Sequence, residues 1–170
     1  PIPPLVSLPA LPRLYANLSS THQDHAAKFC IDDRLDTFCH SHTSTNPWLS
    51  VALPTNSEVS QVWIHNRVDT PDPVYTRLSP FQLWVGASVG DFDSATSVEC
   101  GVFNLTAPET VGPFTFHCQA AVGSFLTVVL PGAQRTLHLA EIRIFSPFSA
   151  LSTTTFTSAA ITTTAIATTT

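Results

Sequence analysis

Residues 40–77 read HSHTSTNPWLSVALPTNSEVSQVWIHNRVDTPDPVYTR. Asn46-Pro47 is a turn signal that leads into the β-prone run 48–53, and a second run follows at 58–65, beyond Pro54 and Asn56. Both runs are short, rich in branched and aromatic residues, and lack the 3.6-residue spacing of a helix, so they predict strands. The second run ends in Asn66-Arg67-Val68-Asp69, and a proline-rich loop then carries the chain to Arg77. A histidine and two arginines on loops at one end of a β-scaffold make a polar pocket able to hold hydroxyl groups.

Working outward, further β-prone runs stand at 80–86, 113–118, 124–131 and 136–145, set between proline and glycine turns. No stretch of comparable length reads as an amphipathic helix. The pattern predicts an all-β chain, an antiparallel sandwich or jelly roll, with an immunoglobulin-like sandwich as the rival on pattern alone. The last run carries an irregularity: Leu137 and Leu139 share one parity, Ile142 and Ile144 the other. A bulge between Ala140 and Glu141 explains such a slip, and bulges re-aim side chains near sites. Glu141 is then either a residue with a special role or a solvent-facing carboxylate.

A chain of 170 residues supports one domain with a full core. It divides into a proline-rich arm at 1–13 (five prolines), a sandwich at 14–146, and a tail at 147–170 with no charge and ten threonines in its last twenty residues. The tail composition fits either an O-glycosylated stalk or two donated strands, at 153–157 and 161–167. A net charge of −5 with 11% charged residues argues against nucleic acid and anionic membrane as partners. The sequence shows neither a leader pattern nor an apolar run long enough to span a membrane, as expected of a processed protein. Four cysteines, open to three pairings, and the sequons at Asn17 and Asn104 point to a secreted or extracellular-surface location. No nucleophile elbow or other catalytic arrangement stands out, so no catalytic residues are expected. The spacings of His22, His25, His40 and His42 match no zinc template.

The landmarks ANLSST, CIDD, NPWLSVAL, VWIHNRVD, LWVG, FLTVVLPG and LHLAEIRIF, in this order over roughly residues 15–146, resemble the F-type lectins, or fucolectins. These are similar in turn to the discoidin-like galactose-binding jelly rolls. The family motif is a histidine, 26 residues, then Arg-x-Asp and a further basic residue; His40 and Arg67 keep that spacing. The resemblance implies a fucose-type glycan as partner, bound by His40, Arg67 and Arg77, with Asp69 holding the arginines. The chain departs from the pattern in its longer segment from Asp69 to Arg77 and in lacking the family's adjacent cysteine pair, whose apolar wall Tyr75 or Val74 would replace. His42 is the competitor of His40. The resemblance further implies disulfides Cys100–Cys118 and Cys30–Cys39. It also implies a calcium ion held by Asp32, the backbone around Arg34, Thr37, the Ala140 carbonyl and Glu141. The acidic loop is short here, and Arg34 stands where the family has a small polar residue.

A second function from another class is a structural subunit of an extracellular filament or surface assembly. It would use the lectin-like fold as scaffold and its uncharged N-terminal arm and C-terminal tail for self-assembly by strand exchange.

Overall fold

The computed structural model describes residues 8–69 and 73–147. Its strands are β1 (Tyr15–Leu18), β2 (Cys39–His40), β3 (Trp48–His65), β4 (Phe81–Gly86), β5 (Ser97–Phe103), β6 (Phe114–Val129), β7 (His138–Leu139) and β8 (Glu141–Phe145), with 3₁₀ helices at Ala27–Cys30 and Pro73–Leu78. All pairings are antiparallel, in the order β1-β3-β6-β4-β5 with β8 also on β3, while β2 and β7 pair by themselves. This is an all-β jelly-roll sandwich.

The two runs at 48–53 and 58–65 are one strand, interrupted and not ended. Register shifts fall between Ala52 and Ser57 and between Val59 and Gln61. Pro54 is tolerated because it sits inside the first interruption, where no ladder hydrogen bond is asked of it. The shifts also reset the parity: Leu49, Val51 and Val59 are buried, and then Val62 and Ile64. One long strand thereby serves two sets of neighbours, β1 on its first half and β8 on its second. The runs at 113–118 and 124–131 merge in the same way into β6.

The parity slip in the last run has a different cause from the bulge expected there. Leu139 pairs with Cys39 in the small sheet and Glu141 with His65 in the large one, so the chain changes sheets at Ala140. Leu137, Leu139, Ile142 and Ile144 all reach the core across that change. Strand β5 is absent from the sequence reading because it lies at the end of the sheet path with Val98 and Val102 more than half exposed. Its core-side residues Ser97, Cys100 and Phe103 fall three apart across a register shift, so they give no apolar alternation.

Glycine is required at 123. A Cβ there would stand 2.6 Å from the Gly86 carbonyl oxygen and 2.7 Å from Val85 Cγ1, so the backbone of β4 would have to move. Gly123→Ala is expected to cost about 1–3 kcal/mol through overpacking, read as a lower urea midpoint; an unchanged midpoint would show that β4 yields freely.

Residues 8–14 run along the sheet edge. The Leu11 amide donates to the Ile144 carbonyl at 2.8 Å, Ala10 bridges Phe145, and the Leu14 amide donates to the Ala52 carbonyl at 2.8 Å. The tail strands expected at 153–157 and 161–167 lie outside the described residues. No helix among the described residues is long and apolar enough to cross a membrane.

Candidate functional site

The disulfide Cys30–Cys39 closes the acidic loop and ends one residue before His40; Cys100–Cys118 straps β5 to β6. His40 lies on β2 directly opposite His138 on β7, and the rings stack with centroids 5.5 Å apart and planes 12° from parallel. Cross-strand neighbours on one face meet in this manner. The segment before the loop wraps over His40: the His40 amide donates to the His25 carbonyl at 3.0 Å and the His22 amide to the His40 carbonyl at 2.8 Å. The His22 ring stands 4.8 Å from that of His40.

Arg67 follows the end of β3. Its guanidinium lies 3.7 Å over the Phe38 ring, which also stacks on His25 at 4.2 Å. Two flat faces cannot hold the same side of one ring, so Phe38 is sandwiched between imidazole and guanidinium. Asp69 grips Arg67 through Nε at 2.5 Å and Nη2 at 3.3 Å. These bonds occupy two of the five guanidinium donors.

Behind Arg67 stands Asn66, fully buried. Its Nδ2 donates to the carbonyls of Tyr75 and Pro108, both at 2.9 Å, and its Oδ1 accepts from the Arg67 amide at 2.9 Å. One side chain thus ties the end of β3 to the loop that carries Arg77. That loop is held from its other side by Arg135, whose Nη2 donates to the carbonyls of Arg77, Ser79 and Pro80 at 3.0–3.1 Å.

His40, Arg67 and Phe38 are therefore one cluster, with Arg77 on the neighbouring 3₁₀ helix, exposed, and Tyr75 half-buried. Asp69 braces Arg67, and among the described residues it makes no ion pair with Arg77, where the sequence pattern has it holding both arginines. His42 is exposed, with its Nδ1 3.5 Å from that of His22, whereas His40 is buried in the cluster.

His138 was not singled out from the sequence. It is fully buried, and among the described residues no hydrogen bond of ordinary geometry reaches either ring nitrogen. Burial, then the charges of His40, Arg67 and Arg77, push its imidazole down to about 3. Burial, with His22 and Arg67 behind it, likewise pushes His40 down to about 4. Both rings are neutral at physiological pH, each with one donor and one acceptor nitrogen. The signal was a polar residue between Leu137 and Leu139 at the parity that faces away from theirs.

The residues assigned to calcium are arranged otherwise. Both oxygens of Asp32 accept from the Thr37 hydroxyl, at 3.0 and 2.9 Å, and Asp32 also accepts from the Arg34 amide at 3.0 Å. The Arg34 side chain turns outward to Asp36. Glu141 is fully buried rather than solvent-facing, its Oε2 accepts from the Asp33 amide at 2.8 Å, and its Oε1 is bonded by Arg13. Among the described residues no three or more His, Cys, Asp or Glu side chains are grouped to hold a metal ion. The Asp32 and Glu141 carboxylate oxygens that a calcium ion would need are thus already bonded within the chain.

A half-buried aromatic and imidazole cluster beside the Arg67 guanidinium thus stands on a jelly-roll scaffold of the galactose-binding-domain class. The family described as NedA-like, galactose-binding domain matches residues 29–128. The chain belongs to this family. It is 33% identical over 123 residues to fucolectin-1 of Anguilla japonica, covering 68% of this chain and 65% of that one. The fucolectin from Morone saxatilis serum superposes with a TM-score of 0.68 at 19% identity, over 84% of this chain and 50% of that chain. The lectin domain of lectinolysin, complexed with Lewis B antigen, gives 0.66 at 24% identity, over 80% and 95%. The chain spans less than two thirds of the length of the curated relatives it matches.

Proposed function

We propose that the domain binds a fucose-type glycan through His40, Arg67 and Arg77, with Asp69 bracing Arg67 and Tyr75 supplying an apolar wall. The observation that carries this reading is the convergence of His40 and Arg67, with 26 residues between them in sequence, around Phe38 and His138. A neutral imidazole both donates and accepts, and a guanidinium held by a carboxylate still presents donors, which together suit the vicinal hydroxyls of a sugar. The fucolectin relatives and the lectinolysin domain solved with a Lewis antigen support the ligand class. An extracellular location is supported by the two disulfides and by the exposure of Asn17 and Asn104, which suits both for N-glycans.

Arg67→Ala is expected to weaken fucose binding by about ten- to a hundredfold, the worth of its charged hydrogen bonds, without unfolding the domain. Calorimetric titration with fucose, beside a glycan array of the unsubstituted chain, tests this. No glycan bound, or binding indifferent to the substitution, would sink the reading.

The alternative, a subunit of an extracellular assembly, rests on the charge-free composition of residues 147–170. Light scattering on a chain lacking 150–170 decides it: assembly equal to that of the full chain removes the tail from any such role.

A further inference from the structure

We propose that Arg13 is the domain's built-in cation: the N-terminal arm delivers a guanidinium to the buried Glu141 where the resemblance places calcium, so the acidic loop is fastened by the chain itself. Arg13 reaches across 128 residues of sequence. Its Nη1 bonds Glu141 Oε1 and donates to the Ile142 carbonyl at 2.8 Å, and its Nη2 donates to Asp33 Oδ1 at 2.6 Å. Asp33 in turn donates its amide to Glu141 Oε2 at 2.8 Å and lies 3.3 Å from the Arg143 guanidinium. The Arg13 side chain is 12% exposed and that of Glu141 0%.

Both carboxylate oxygens of Glu141 are thereby engaged. A carboxylate with no solvent access needs a positive charge or a proton, and an uncompensated one is strongly destabilising. Here the positive charge comes with the arm. The hydrogen bonds from Leu11 to Ile144 and from Ser146 to Pro9 hold the arm along β8 and so aim Arg13 inward. One guanidinium then joins three pieces: the arm, the loop that ends at Cys39-His40, and the start of β8. An internal arginine and a calcium ion cannot share the position, since both need the same carboxylate oxygens. The domain therefore depends on its arm and not on a divalent ion.

Thermal melts of the full chain test this without reference to any sugar, so failure of the glycan reading leaves the result untouched. The melting temperature of the native chain is expected to be the same with chelator and with millimolar calcium, whereas a bound ion would raise it with the logarithm of its concentration. Arg13→Gln is expected to melt lower by about 10 °C. Adding Glu141→Gln to it should recover much of that loss, because the charge left unpaired is gone. A melting temperature that climbs with calcium, an Arg13→Gln chain that melts like the native one, or strictly additive losses in the double variant would each overturn the proposal. Should Arg13→Gln fail to fold, the double variant with Glu141→Gln decides: it is expected to fold and melt cooperatively, and a double variant that also fails to fold would overturn the proposal.

Discussion

Between pH 7 and pH 4 the domain is expected to lose on the order of 2–3 kcal/mol of stability, a large share of what a small domain possesses. The cause is the histidine stack. Buried His138 is held down to about 3 and His40 to about 4, both from 6.5, with burial the leading cause in each. His65 is lowered as well, by burial and by the charge of Arg143. A base whose folded pKa is depressed takes up its proton first in the unfolded chain. Its contribution is therefore complete above the unfolded value near 6.5 and is lost as the pH falls through that value toward 4 and 3.

Glu141 works in the opposite direction. Burial raises its carboxyl to about 7 from 4.5, against the pull of Arg13 and the Asp33 amide, so its penalty is largest above pH 7 and fades as it protonates. The histidines outweigh it because several groups oppose one, and because His138 and His40 move at least as far. The figure is discounted for the solvent that reaches the His40 side of the cluster. Urea midpoints measured across pH 4–8, with NMR titration of the imidazole Hε1 signals, check the expectation. A His138 signal that titrates near 6.5 in the folded protein would show that the stack is not the acid-sensitive element.

The strands that bury a face were legible because burial imposes a pattern: Leu49, Val51, Leu126 and Val128 announce themselves by alternation. Strand β5 was not, since Val98 and Val102 face outward and Glu99 interrupts them at an edge. The positions of His40 and Arg67 could be read from a spacing, but what supports them could not. Asn66 looked like one more polar residue at a strand end, and His138 like a break in an apolar run. The deepest miss was Arg13. A lone arginine in a proline-rich arm gives no local sign that it ends beside a carboxylate 128 positions later. Charge pairing across a fold leaves no periodicity, and it becomes visible only when topology brings β8 against the arm.

Asn66→Asp is expected to destabilise the domain at neutral pH by about 3 kcal/mol or more, though it changes one group and no volume. In the native chain the amide nitrogen sits 2.9 Å from two carbonyl oxygens, those of Tyr75 and Pro108. In the aspartate an oxygen takes that place, acceptor against acceptors, within a site that is fully buried. The bond from the Arg67 amide to Oδ1 survives, so the penalty belongs to the loop clasp and not to the strand end. Asn66→Ala removes the same two donors without adding a charge and is expected to cost less, about 1–3 kcal/mol. Lowering the pH separates the two variants. Protonation gives the aspartate an O–H that can donate to one of the carbonyls, so the gap between Asn66→Asp and the native chain should shrink toward pH 4, while that for Asn66→Ala stays level. Both chains lose the same histidine contribution, which cancels in the difference. If the aspartate variant is as stable as the native chain at pH 7, or if its deficit does not respond to pH, the amide is not the clasp that holds the Arg67 and Arg77 loops together.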